Sequence, residues 1–197
     1  TLTINLGDRE ENILASMHKG TRYEIRRAQI KDSVQWRRLS INGIGDIRSF
    51  VDDYNTYLPS GSSTRRLNTS KVDKLARARL LDVTVVEDSQ GAILTWHVYV
   101  LSEGIARLLY STSPASASPD SDRRNLAGRA NRYHHWMDIR SFKDRGLSTL
   151  DFGGFYEGGE DLKKLEINKF KQCFGGKRVI TWNCLYATSM LGRLALA

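Results

Sequence analysis

Cysteine and histidine are scarce in this sequence, which holds Cys173, Cys184 and four histidines in 197 residues. The two cysteines make no CxxC pair and the histidines are too scattered for a zinc pattern, so no metal site is expected. His134 and His135 are adjacent; on a helix they point about 100° apart, a poor chelate, and read as core or surface histidines. The cysteines read as free thiols of a reducing cytoplasm. Long apolar runs are also missing: none approaches the ~18 residues needed to span a bilayer. The opening "TLTINLGDREENI" has neither the basic start nor the apolar stretch of a secretory leader. The expected location is the cytoplasm, either free or at the inner face of the membrane. No internal repeat, heptad run, RRM, helix-turn-helix or zinc-finger pattern occurs, which disfavours the common nucleic-acid-binding modules.

What the sequence does have is a globular composition, 40% hydrophobic and 26% charged, with the length of one ordinary domain. Its charge is unbalanced: 30 Lys and Arg against 22 acids give +8. A positive face favours phosphate-bearing partners, whether nucleic acid, coenzyme A, nucleotide sugars or an anionic membrane.

Along the chain, "TLTINL" alternates as a strand, and Asp8 is placed to cap a helix carrying Ile13, Leu14 and Met17. Gly20 interrupts the pattern, and Thr21 restarts it as an N-cap for a helix with Arg22, Arg26 and Arg27 on one side. "SVQWRRLS" reads as a short strand and "GIGDIRSFVDDYNTYL" as a helix. Pro59–Ser63 is a loop by composition, and "TSKVDKLARARLLD" is a further helix. "VTVVED", "AILTWHVYV" and "IARLLYSTS" form an antiparallel meander. After the polar "SPASASPDSD", a long helix closes on Gly146. Strand "LSTLDFGG", helix "GEDLKKLEINKFKQCF", strand "KRVITWNCL" and a last helix "ATSMLGRLAL" follow. Strands alternating with helices after a meander give an α/β (α+β) fold with a mixed sheet and βαβ crossovers in the C-terminal half.

Four stretches can carry chemistry. "NLAGRANR", at a helix start after a strand, offers backbone N–H groups to an anion, with Gly128 and Ala130 allowing close approach. "DFGGFYEGG" puts Asp151 at the C-terminal end of a central strand, where ligands of α/β sheets gather. "NKFKQCFGG" puts Lys171 in the last helical turn, favourable against the helix dipole and equally placed to meet a phosphate or a developing oxyanion. "KGTRYEIRRA" is either a polyphosphate or nucleic-acid contact or a solvated basic face.

The order "TRYEIRRA", "GRANRYHHWMDIRSFKDRG", "LDFGGF", "INKFKQCFGG" resembles the FemAB-like branch of the GNAT acyltransferase superfamily, over roughly residues 12 to 182. The resemblance implies a GNAT-like mixed, splayed sheet flanked by helices on both faces. It implies transfer of an acyl group from a thioester or an aminoacyl-tRNA ester to an amine, with no permanently bound cofactor. The acceptor would be a small molecule or a cell-surface precursor. Lys171 matches the lysine of the family's "FK" pair, credited with contacting phosphate or the reacting carbonyl. Asn125, Gly128, Arg129 and Ala130 stand where the phosphate loop would be, with Asn125 in place of the usual Gln or Arg. Asp151 is expected to orient or deprotonate the amine. Arg22, Arg26 and Arg27 are expected to meet phosphates of donor or acceptor, and Tyr156 and Phe170 to line the acceptor pocket. Fem bridge enzymes carry two such domains; this chain has room for one, which favours acyl-CoA as donor. The alternatives are an aminoacyl-tRNA-dependent enzyme of peptidoglycan precursors, a non-catalytic nucleic-acid-binding protein, and a degenerate domain that only binds an acylated ligand.

Overall fold

The structure, a computed structural model, describes residues 1–41, 44–56 and 66–182. One seven-stranded sheet runs through them. In chain order the strands are β1 (Leu2–Asn5), β2 (Gln35–Arg38), β3 (Leu81–Glu87), β4 (Ile93–Ser102), β5 (Ile105–Thr112), β6 (Thr149–Asp151) and β7 (Lys177–Arg178). The helices are α1 (Glu10–Ser16), α2 (Lys19–Ile30), α3 (Ile44–Thr56), α4 (Thr69–Arg77), α5 (Ser121–Asp144) and α6 (Leu162–Gln172). The sheet order is β2-β3-β4-β5-β6-β1-β7, antiparallel except for the β5–β6 pair. The expected meander is β3–β5, and the expected crossover is β5–α5–β6. No helix among the described residues is long and apolar enough to cross a membrane.

Helix ends follow local chemistry. Side chains of Asn68, Asp120 and Asp161 accept hydrogen bonds from the first turns of α4, α5 and α6. Helix α6 stops at Gly175 and Gly176, both at positive φ (+75° and +84°). A methyl on Gly176 would overlap the Thr3 carbonyl oxygen, and one on Gly175 the Ser16 hydroxyl. Close packing on β1 and α1 therefore reinforces the stop.

Three local expectations change. The α1 N-cap is Arg9 rather than Asp8; Asp8 instead receives a bond from Asn5, and its carbonyl one from Lys143. Helix α2 begins before Gly20, because His18 Nδ1 accepts from the Gly20 N–H, which leaves Thr21 buried inside the helix. The strand expected in "KRVITWNCL" is only Lys177–Arg178 among the described residues, with Trp182 exposed. The Pro59–Ser63 loop, Cys184 and the expected last helix lie outside the described residues.

Two apolar clusters occupy the two faces of the sheet. Val83, Val85, Trp96 and Val98 pack under α3 and α4. The other face, with Leu2, Ile4, Leu150 and Phe152, packs under α1, α2, α5 and α6. On that second face β3 and β4 also bury Asp82, Thr84, Thr95, His97 and Tyr99. A polar strand face is thus covered by α5 rather than by water.

Candidate active site

Strands β5 and β6 pair only through Ile105–Thr149, Ala106–Leu150 and Arg107–Asp151. Beyond Arg107 they part, and a cleft of about 730 Å³ opens between them. Leu108 to Ser111 of β5 form one wall, Phe152 to Gly154 the floor, and Phe170 and Lys171 of α6 the other wall. Asn131 and His135 look in from α5. A β-bulge at Leu109, opposite Val98 and Tyr99, bends β5 at the same opening.

Lys171 is anchored at the cleft floor. Its Nζ donates to the carbonyls of Gly154 (2.5 Å) and Gly153 (3.5 Å). Burial pushes its pKa below the usual lysine value, opposed by the nearby Asp151 carboxylate. Asp151 is buried, and its oxygens are committed. Oδ2 accepts from Arg107 Nε (2.8 Å); Oδ1 accepts from the Gly153 N–H (2.8 Å) and the Thr1 hydroxyl. Three protein donors occupy the carboxylate, and Asp151 does not line the cleft, so it is not placed to meet an amine there. Its place in the structure is to shape the 151–153 turn that presents the carbonyls holding Lys171.

Sequence reasoning missed the buried polar cluster behind the cleft. Asp138, fully buried, accepts from Trp36 Nε1 (2.8 Å), Tyr99 OH (2.8 Å) and His97 Nδ1 (2.7 Å). His97 Nε2 meets Asn131 Oδ1 at 3.0 Å. His134 stacks on His97 with centroids 3.6 Å apart, its nitrogens on the hydroxyls of Thr84 and Thr95. His97, His134 and Asp138 are close enough to suggest a cation site. Every ring nitrogen of that pair already has an oxygen partner, so hydrogen bonds account for the cluster. His135, 2% exposed, is different: its Nδ1 is buried without a partner. Phe152, Phe170 and Phe174 surround the ring, 5.0 to 5.7 Å away. Burial, then the charges of His97, Lys171 and Arg132, hold the His135 pKa well below the ordinary value. The signal was in the sequence: polar residues at 131, 134, 135 and 138 share a helical face, opposite the polar alternation of β3 and β4.

The other expected residues are dispersed. Phe170 lines the cleft, with the Arg132 guanidinium 5.2 Å from its ring centroid. Tyr156 faces a smaller pocket beside α6 with Lys164 over its ring, and Asn168 pins its backbone. "NLAGRA" is not a loop but lies inside α5. The peptide N–H groups of Gly128, Arg129 and Ala130 are spent within the helix, and so cannot cradle a pyrophosphate. Asn125 is exposed, Ala130 is buried, and Arg129 pairs with Asp32 at 2.6 Å. Arg22 and Arg26 border a separate groove of about 560 Å³ beside Trp136 and Arg140, and Arg27 is exposed on α2. The structure does not bring these arginines to Lys171.

No family model and no curated protein matches this chain. Among solved structures, FemX superposes with a TM-score of 0.65 at 13% identity, over 90% of this chain and 58% of FemX. This is a FemX-like fold. The C-terminal domain of a putative lysylphosphatidylglycerol synthetase from Agrobacterium fabrum shares it, with a TM-score of 0.58 at 12% identity over 89% and 56% of the two chains. L-PGS from Bacillus licheniformis gives 0.51 at 12% identity, over 88% and 56%. The chain spans a little over half the length of each of these structures. The FemX-like fold is the mixed, splayed architecture that the sequence resemblance implied.

Proposed function

We propose that the chain is an N-acyltransferase that moves an acyl group from an acyl-CoA thioester to the amine of a small molecule or cell-surface precursor. The observation that carries this reading is Lys171, held by two backbone carbonyls on the floor of the opening between β5 and β6. The unpaired stretch of β5 offers strand-type hydrogen bonds to an extended, amide-bearing donor arm. The amine nitrogen attacks the acyl carbon, and the C–N bond forms. The oxyanion collapses as the C–S bond breaks, and the thiolate takes the proton that the amine loses. Positioning and charge stabilisation do most of the work, and Lys171 supplies the charge. Asp151 acts as a positioning residue through the 151–153 turn, and Phe170 walls the acceptor side. Arg22, Arg26 and Arg27 serve phosphates only at a distance from the reacting carbon. Donor and acceptor come and go as substrates, with no permanently bound cofactor.

The shared fold with FemX and a lysylphosphatidylglycerol synthetase domain favours a second reading, in which the donor is an aminoacyl-tRNA ester and a ribose hydroxyl leaves. Thermal melting separates the two. Acyl-CoA is expected to raise the melting temperature; a rise with charged tRNA alone would exchange the donor. Lys171→Met is expected to lower kcat at least tenfold with KM little changed. Wild-type turnover by that variant would remove Lys171 from the chemistry.

A further inference from the structure

Lys171 is not alone at the cleft floor. Its ammonium carries three N–H groups, of which two are taken by the Gly153 and Gly154 carbonyls. One remains for the cleft. Asn131 lines the same cleft, and its Oδ1 is held at 3.0 Å by His97 Nε2. His97 in turn is fixed by Asp138, and Asp138 by Trp36 and Tyr99. That chain holds the Asn131 side chain at the cleft wall. One helical turn on, His135 lines the cleft with Nδ1 sealed and unpartnered. A proton on Nδ1 would be a buried, unpaired donor, which folded proteins almost never keep; a bare lone pair there costs less. The proton therefore belongs on Nε2.

We propose that His135 Nε2 joins Lys171 Nζ as a two-donor receptor for the carbonyl oxygen of the acyl donor. His135 is then a neutral hydrogen-bond donor rather than a base. This rests on the transferase reading and assigns its oxyanion site. The receptor tightens as negative charge develops on that oxygen, because both donors are fixed before the reaction begins. The surroundings agree with a neutral ring. The titratable and charged groups facing it are His97 from β4, Lys171 from α6 and Arg132 from its own helix, and all oppose protonation. Phe152, Phe170 and Phe174 fill the rest of its surface. Glu166 and Lys163 of α6 also line the cleft.

The test is nitrogen-15 NMR of the histidine rings, with acetyl-CoA and coenzyme A as probes. The expected result is a His135 ring protonated at Nε2 only, unchanged from pH 8 to pH 6, whose Nε2–H signal moves with acetyl-CoA but not with coenzyme A. His135→Phe, which suits the phenylalanine cluster, should cut the preference for acetyl-CoA over coenzyme A about tenfold. A proton on Nδ1, or an imidazolium at pH 6, overturns the proposal even if acetyl-CoA raises the melting temperature; the transferase reading then stands. Unchanged preference in that variant does the same. If the tautomer is as expected but neither acetyl-CoA nor an aminoacylated RNA moves the Nε2–H signal or the melting temperature, the transferase reading falls and takes the receptor with it.

Discussion

Asp138→Ala probes the buried scaffold that holds Asn131 at the cleft wall. The carboxylate receives three hydrogen bonds of 2.7 to 2.8 Å, from His97, Trp36 and Tyr99. Burial first, and then Asp138 itself, raises the Tyr99 pKa well above the ordinary value, so the phenol stays protonated and donates. Removing the carboxylate strands these donors. Trp36 is half-buried and regains water; Tyr99 and His97 are fully buried and cannot. Two stranded donors at about 2 kcal/mol each, with a smaller loss at Trp36, give about 5 kcal/mol. That is a large share of the ~5–15 kcal/mol that holds a typical domain together. Asp138→Asn keeps the shape and an oxygen for Trp36, and the Tyr99 hydroxyl can accept from its amide, so about half that cost is expected. The assay is urea unfolding followed by circular dichroism, with the slope on denaturant compared between variants. An alanine variant within about 1 kcal/mol of wild type would refute the reasoning. So would an asparagine variant as unstable as the alanine one.

Further outcomes follow from the same geometry. His134 and His135 are both held neutral by burial and neighbouring charge. The unfolded chain therefore binds more protons below about pH 6.5, and stability should fall as pH drops, by up to ~2.7 kcal/mol per pH unit; His135→Phe should remove about half of that slope in urea titrations at pH 7 and pH 5. The Lys171 pKa is lowered by burial. Wild type should therefore gain stability relative to Lys171→Met as pH climbs through the window just below 10.5, and a constant difference would contradict that. Gly176→Ala combines a positive φ with overlap on the Thr3 carbonyl; a loss of more than ~2 kcal/mol is expected by thermal melting.

The architecture was largely legible because its signals are local. The meander, the helices and the βα alternation each occupy a continuous stretch with its own period. Two features were not. Strand β1 inserts between β6 and β7, pairing Thr3 with Asp151 and with Lys177, and no local pattern encodes a partner some 150 residues away. The face of β3 and β4 carrying Thr84, Thr95 and His97 alternates like a solvent-facing face, so its burial under α5 was invisible. Lys171 was found from a helix end beside glycines. Asn131 and His135 were missed because a polar helix face reads as wet unless its covering strands are known. The expected phosphate loop failed for a related reason: small residues suit both a loop near a ligand and the inside of a packed helix, and in α5 Ala127 and Ala130 are packed.

The insertion of β1 also bears on how the protein is made. Leu2, Ile4 and Leu6 leave the ribosome well before their sheet neighbour Thr149–Asp151, which comes about 145 residues later. At ~5–20 residues per second that is a wait of roughly 7–30 s with an apolar strand unpaired. The floor of the cleft is therefore completed only once β6 and α6 have been made, and nascent chains stalled before β6 should hold the meander but bind no donor.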